Sequence, residues 1–223
     1  MNLNLKLNFH VQHKLLVAVG TAAIAMTTLS GCAPLLLGTA VVGTGLVATD
    51  RRTTGTQIED ESIELKAASR IRDLATLGRV NVTSYNRLVL LTGEVPGEAE
   101  KAAVEAAVAR VENVRSVVNE LAVANNASVG ARSSDVLTST KVKATFVDAK
   151  DVQANAYKVI AERGIVYLMG RVTEREGTRG AELASAVPGV AKVVRVFEIL
   201  GENELASLGR PNAVGKAASA AGR

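Results

Sequence analysis

Three side chains in this chain carry the usual nucleophile and soft-ligand chemistry: one cysteine, Cys32, and two histidines, His10 and His13. Histidine is the commonest general base and metal ligand, and a thiolate is the commonest soft ligand. All three lie at the start of the chain, around residues 15–26 (LLVAVGTAAIAM), an apolar stretch that follows Lys6 and Lys14. Such a stretch has the length of a signal h-region, about 7–15 residues, and is short of the ~20 needed to cross a bilayer. If residues 1–31 are removed, both histidines go with them, and the remaining chain has no histidine, no tryptophan and one thiol at its first position. No disulfide can form. Ser–Lys or paired-carboxylate chemistry and an oxygen-ligand calcium site remain open in principle. The sequence holds no Ser-x-x-Lys box, no Gly-rich phosphate loop and no Asp-x-Asp-x-Asp-Gly run. We therefore expect no catalytic residue, no metal site and no cofactor.

The run Leu29-Ser30-Gly31-Cys32 resembles the lipobox of a bacterial lipoprotein signal. That resemblance implies cleavage before Cys32 and acylation of the new N-terminus, with Cys32 as the lipid-attachment residue. An ordinary secretory signal with an incidental cysteine, or an uncleaved anchor, are the alternatives. The lone cysteine stands at the one position where a lipobox needs it.

The formal charge of +4 overstates the basic character of the body. Lys6 and Lys14 leave with the leader and no acid does, so the mature charge falls to +2. Aromatic residues make up 3% of the chain, too few for base-stacking platforms, and we expect no nucleic-acid partner.

The elements that follow are duplicated. The strand-like run from Arg79 to Val95 has a counterpart 77 residues on, Gly93 matching Gly170 and Val95 matching Val172. Val111-Glu112-Asn113-Val114 is matched in turn by Val187-Pro188-Gly189-Val190. Each copy reads as helix–strand–strand–helix–strand. Ile63, Ala67 and Ile71 fall at helical spacing; residues 80–84 alternate; Asn86-Arg87 and Arg163-Gly164 offer tight hairpin turns. Residues 114–123 form the third strand of the first copy. In the second copy, Ser134-Asp135 caps a helix with Thr138, Val142 and Phe146 on one face, and Thr173-Glu174-Arg175-Glu176 fits a capping box. Gly177 and Gly180 weaken the helix that follows, so it must pack closely through small residues. The fold class is α+β, each unit a three-stranded sheet with two helices on one face and a single layer of core. Tyr85, Tyr157, Tyr167 and Met169 read as packing residues.

The αββαβ order, the strand endings Leu-Leu-Thr-Gly-Glu-Val and Leu-Met-Gly-Arg-Val, and the Val-x-x-Val turn into the last strand resemble the BON domain. Two tandem copies behind a lipobox are similar to the dual-BON-domain outer-membrane lipoproteins. The organisation expected is a signal peptide at 1–31, a lipidated tether at 32–57, a first BON domain at 58–124, a linker at 125–132, a second BON domain at 133–200 and a disordered tail at 201–223. Residues 33–48, apolar and small, are either a membrane-hugging spacer or a plain tether.

The helix that opens the second copy is the candidate working surface. Leu137, Lys141 and Ala144 lie near one face, with Val142 and Phe146 on another. Lys141 and Lys143 can reach phosphate headgroups while short apolar neighbours enter the interface. The resemblance implies that this helix contacts an anionic phospholipid such as phosphatidylglycerol, through Leu137, Lys141, Val142 and Lys143. The family pattern carries a Trp where Leu137 stands, so an interfacial anchor is missing here.

The resemblance implies a non-enzymatic lipoprotein on the periplasmic face of the outer membrane, which supports envelope integrity near the outer-membrane protein assembly machinery. Ala33 after the cysteine, in place of the Asp of similar inner-membrane lipoproteins, agrees with that location. The rival expectation is a protein-interaction adaptor whose helix or sheet docks a protein. Cys32→Ser should abolish acylation; incorporation of radiolabelled fatty acid into that variant would refute the lipobox assignment.

Overall fold

The sequence 54–71 folds as an amphipathic helix, and its cap explains where it begins. In the computed structural model, which describes residues 50–72, 74 and 78–208, the Thr53 hydroxyl accepts the Thr56 N–H at the start of α1 (Thr54–Ile71). The helix buries Ile63, Ala67 and Ile71 against a sheet. That sheet starts with the hairpin β1 (Arg79–Tyr85) and β2 (Leu88–Val95), in antiparallel register with Tyr85 opposite Leu88. Asn86 and Arg87 both take left-handed φ values, 50° and 67°, as a two-residue I′-type turn requires. α2 (Glu98–Ala109) returns the chain so that β3 (Ser116–Asn119) runs parallel to β2. The third strand expected over 114–123 is split. β4 (Ala122–Val123) resumes the pairing with β2 after Glu120-Leu121, because Leu121 turns into the core, where it is 2% exposed.

The second copy repeats this order. α3 (Val129–Asp148) packs on β5 (Tyr157–Glu162) and β6 (Ile165–Val172), joined by the Arg163-Gly164 turn at φ 55° and 75°. α4 (Glu174–Ser185) opens on the expected capping box between Thr173 and Glu176, and β7 (Lys192–Ile199) pairs parallel to β6. Two boundaries differ from expectation. α3 begins at Val129, where the Ser128 hydroxyl accepts the Ala131 N–H, so part of the stretch read as linker is helix. A further helix, α5 (Glu202–Leu208), occupies the start of the stretch read as tail, tied by Arg171 to Glu204 at 2.9 Å. The lipobox with Cys32, the stretch 33–48 and residues 209–223 lie outside the described residues.

Asp135 is not a helix cap. It sits inside α3 and its carboxylate accepts the N–H groups of Arg163 and Gly164, at 2.9 Å each, which pins the hairpin turn to the helix. Asp60 does the same in the first copy. It accepts the N–H groups of Asn86 and Arg87 and the Ser84 hydroxyl, and takes an ion pair from Arg52 at 2.8 Å. Burial opposes ionisation of Asp60, but these donors outweigh it and hold the carboxyl below the usual range.

The glycines of the strand motif serve backbone approach. A Cβ on Gly93 would lie 1.9 Å from the Arg79 carbonyl oxygen, and one on its counterpart Gly170 would lie 2.3 Å from the Ala156 oxygen. In α4, Gly177 faces the Phe197 ring and Gly180 the Tyr157 ring. Tyr157 stacks between Phe146 and Phe197, with centroids at 4.8 and 6.0 Å, in the core of the second domain.

Both faces of each sheet are covered, so the single layer of core expected per domain is incomplete. Val89, Leu91 and Val95 face α1 and α2, and Val166, Leu168 and Val172 face α3 and α4. The opposite faces pack on each other: Tyr85, Leu90, Tyr167, Met169 and Val196 form a third cluster, with Val118, Ile160 and Val194 beside it. The tyrosines and Met169 are core residues, as expected. Polar contacts rim the seam. Arg79 pairs with Glu162, and Asn81 donates to Glu162 at 3.0 Å. Lys158, the repeat counterpart of Asn81, reaches back to Glu64 at 2.9 Å and to the Ser84 carbonyl oxygen. Asn86 and Arg115 both donate to Glu198 at 2.7 Å. Two like units thus dock through like faces.

Gly180→Ala should destabilise the protein by about 1–3 kcal/mol in a denaturant melt, although alanine favours a helix interior by ~1 kcal/mol. The new methyl would sit 2.7 Å from the Tyr157 ring, which is held on both sides. Gly55→Ala in α1, which meets only the Thr53 hydroxyl oxygen at 3.8 Å, should be neutral or mildly stabilising. Asp60→Asn should cost roughly 3 kcal/mol, because it leaves a buried arginine pair and three donors poorly matched. The sign with pH follows from the depressed carboxyl. Its stability is present above the unfolded Asp value of about 3.9 and is lost as pH falls through the lower folded value. That part of the acid-unfolding curve should flatten in Asp60→Asn.

Candidate membrane-contact site

α3 has two faces with different work. Asp135, Thr138, Val142 and Phe146 point at the sheet and are buried. On the outer face Val129, Val136, Leu137 and Val147 are 70%, 64%, 61% and 72% exposed. At about 100° per residue, Val129, Val136 and Val147 fall within ~20° of one line along the helix. Leu137 and Ala144 widen that row on one side. Lys143 borders it on the other side and Lys141 lies beyond Leu137, and both lysines are exposed. The result is a short apolar ridge between two cations.

Ser133 and Thr140 lie in this row and Ser139 and Thr145 nearer the buried face, and the polarity of all four hydroxyls is spent locally. Ser133 donates to the Val129 carbonyl oxygen, Ser139 and Thr140 to that of Val136 and Thr145 to that of Lys141, at 2.9–3.0 Å. Hydroxyls bonded back to their own helix cost little to bring against an apolar phase.

Of the expected contact residues, Leu137, Lys141 and Lys143 are on this outer face. Val142 is a correction: it is fully buried in the second-domain core, packed with Phe146 and Val166, and no ligand can touch it without unfolding the helix. Helical spacing already set Val142 apart from Leu137 and Lys141. Val129, Val136 and Val147 were missed. Their signal was a 7- and 18-residue recurrence of valine opposite Thr138, Val142 and Phe146, and Val129 fell in the stretch read as linker.

The repeat supplies an internal comparison. α1 also exposes Ile58 and Leu65, at 62% and 74%. There Glu61 flanks the pair on one side and Lys66 and Glu59 on the other, so the charges beside it are mixed. On α3 the exposed charges near the ridge are Lys141 and Lys143, with Asp148 at the end.

Beside α3 lies a cleft of about 340 Å³ lined by Lys143, Phe146, Val147, Tyr157, Val159 and Asp50. A larger one, about 520 Å³, opens at the N-terminal end of α4. Much of its charge is already paired, Arg179 with Asp151 and Glu182, and Glu176 with Arg51. Burial pushes the Tyr157 and Tyr167 hydroxyls up to about 12, so neither tyrosine is an available acid or base near neutrality. Among the described residues no three His, Cys, Asp or Glu side chains gather to hold a metal, and no helix is long and apolar enough to cross a membrane.

The BON domain family matches residues 59–125 and 134–201. The chain is 43% identical over 176 residues to the outer membrane lipoprotein DolP of Haemophilus influenzae, covering 77% of this chain and 90% of that protein. It is 34% identical over 151 residues to the 21 kDa hemolysin of Actinobacillus pleuropneumoniae, covering 66% and 78%. It is 29% identical over 144 residues to the osmotically-inducible protein Y of Escherichia coli, covering 62% and 72%. With two family matches on two folded copies, and this similarity along most of its length, the chain belongs to the BON-domain family and is a non-enzymatic outer-membrane lipoprotein of the dual-domain kind.

Proposed function

We propose that the second BON domain binds anionic phospholipid through the outer face of α3, and that the protein supports cell-envelope integrity from its lipid-anchored position in the outer membrane. The observation that carries this reading is the apolar ridge of Val129, Val136, Leu137 and Val147 between Lys141 and Lys143, on a helix whose other face is core. The ridge enters the headgroup region while the lysines meet phosphate oxygens. The energies are small. Each lysine contributes about 1 kcal/mol near an anionic surface, and each exposed valine or leucine adds an increment of the same order at most. Weak contact suffices for a domain already held at the bilayer, where the effective lipid concentration is high. The lipid class is anionic, with phosphatidylglycerol the representative tested below, since a diffuse pair of lysines reads charge and not headgroup shape. Proximity to the outer-membrane protein assembly machinery belongs to the same proposal.

The non-acylated body from Asp50 onward should float with phosphatidylglycerol vesicles better than with neutral ones, and lose that preference as salt rises. Lys141→Glu with Lys143→Glu should lower binding roughly tenfold or more, the equivalent of about 1.4 kcal/mol or above. Circular dichroism should be unchanged, because both side chains are exposed. Leu137→Trp should strengthen binding. Equal flotation of the parent and the double-Glu protein would replace this reading with a protein-docking surface.

A further inference from the structure

Asp50, Arg51 and Arg52 are the first described residues on the anchor side of the body, and the two arginines grip different domains. The Arg51 guanidinium forks onto the Glu176 carboxylate at 2.6 and 2.7 Å, donates to the Arg171 carbonyl oxygen at 2.8 Å and reaches Gln153 at 3.1 Å. Arg171 answers by donating to the Arg51 carbonyl oxygen at 2.9 Å. All these partners belong to the second domain. Arg52 pairs with Asp60 of the first domain at 2.8 Å and lies 4.2 Å over the ring of Tyr85, a residue of the inter-domain core. The side chains of Arg51 and Arg52 are only 7% and 13% exposed. A cation in a plain tether stays solvated, whereas these two are withdrawn from water and hydrogen-bonded on several sides.

We propose that Arg51 is a positioning residue for the membrane contact: with Arg52 it staples the anchor-bearing segment across both domains, so that the chain leaves the body beside α3. The inference rests on the α3 reading above. Its geometric support is Asp50, which lines the same cleft as Lys143 and Val147 of α3. Asp50 stands 18 residues from Cys32, a contour of at most about 65 Å. A short tether fixed beside the contact helix raises the effective concentration of that helix at the bilayer; one free to leave from elsewhere does not. Glu176 serves two structures at once, since it also accepts the Thr173 N–H in the cap of α4. The staple therefore closes on a rigid helix start.

The test uses the full-length acylated protein in phosphatidylglycerol-containing vesicles that carry a quencher on the lipid chains. A fluorophore is placed on Thr140→Cys, an exposed site on α3, since the sole native thiol is taken by the acyl chain. Arg51→Glu should stay membrane-bound, show faster amide hydrogen exchange over residues 51–52 and 173–177, and lose quenching several-fold. Arg51→Lys keeps the charge without the two-pronged fork and should fall between. Should Arg51→Glu fail to fold, Glu176→Gln carries the same test. Faster exchange with quenching equal to the parent overturns the positioning role, and unchanged exchange overturns the staple. No quenching in the parent itself would overturn the α3 reading and leave the exchange result to judge the staple.

Discussion

The two central strands carry apolar side chains on both faces, and the rest of the architecture answers to that. Leu90 and Val89 are both fully buried although they point opposite ways, and so are Met169 and Leu168. A strand of this kind has to be covered twice. Helices cover one side. For the other, the nearest apolar sheet of matching shape is the sibling copy, and the chain stacks the two into a helix–sheet–sheet–helix sandwich. Every sheet face is thereby consumed. The surfaces left for function are the outer faces of helices and the seam, which turns attention to what α1 and α3 expose.

The seam is held by charge as well as by area. Glu94 is fully buried there, with Arg79 and Arg163 at 3.6 and 3.5 Å. Such distances are longer than a good hydrogen bond, so the carboxylate adds little stability. What it adds is register: Arg79 is its partner on the neighbouring strand of the same sheet, but Arg163 comes from the other domain, and a slipped or rotated docking would cost it that cation. Burial raises the Glu162 carboxyl, and the charges of Glu94 and Asp135 work with it against the pull of Arg79. Glu198 goes the other way. Burial works against it, but donors from Asn86, Arg115 and Arg171 hold its carboxyl low. The two sides of the seam therefore respond oppositely to acid. Protonation relieves the crowded side at Arg79–Glu162 and weakens the side at Glu198.

Local signals were legible in the sequence and long-range ones were not. The turns at Asn86-Arg87 and Arg163-Gly164 and the Thr173 capping box each rest on residues within a few positions of one another, and the close packing of α4 was signalled by Gly177 and Gly180 although their partners Phe197 and Tyr157 are distant in sequence. Val142 was misplaced among the lipid contacts although its own spacing put it with Phe146, because the expected contact set came from resemblance and not from the helix face. The start of α3 was missed because a Ser128 cap followed by Gly130 reads as loop until the valine row beyond it is counted. Asp60 and Asp135 could have been found. Asp60-Ile63-Ala67-Ile71 and Asp135-Thr138-Val142-Phe146 share one spacing, 75 residues apart, and an acid kept at the same phase as a buried row points inward. Sheet-on-sheet docking and the Arg51 contacts join residues 69 to 125 positions apart, and no local pattern encodes them.

Duplication sets a further constraint on which copy meets the membrane. In the sandwich the α1–α2 layer and the α3–α4 layer lie on opposite outer faces, so one bilayer can receive only one of them. Both layers expose an apolar pair, Ile58 with Leu65 and Val129 with Val136, but at different positions of the repeat: Ile58 and Leu65 match Ser133 and Thr140, and Val129 and Val136 match Thr54 and Glu61. The charges beside them differ too, Glu61 and Lys66 on α1 and Lys141 and Lys143 on α3. The two copies thus differ in both the apolar and the charged residues of their outer faces, at positions where substitution costs the fold almost nothing. On the proposed contact through α3, the α1–α2 layer faces away from the lipid and, in that proposal, toward the periplasm.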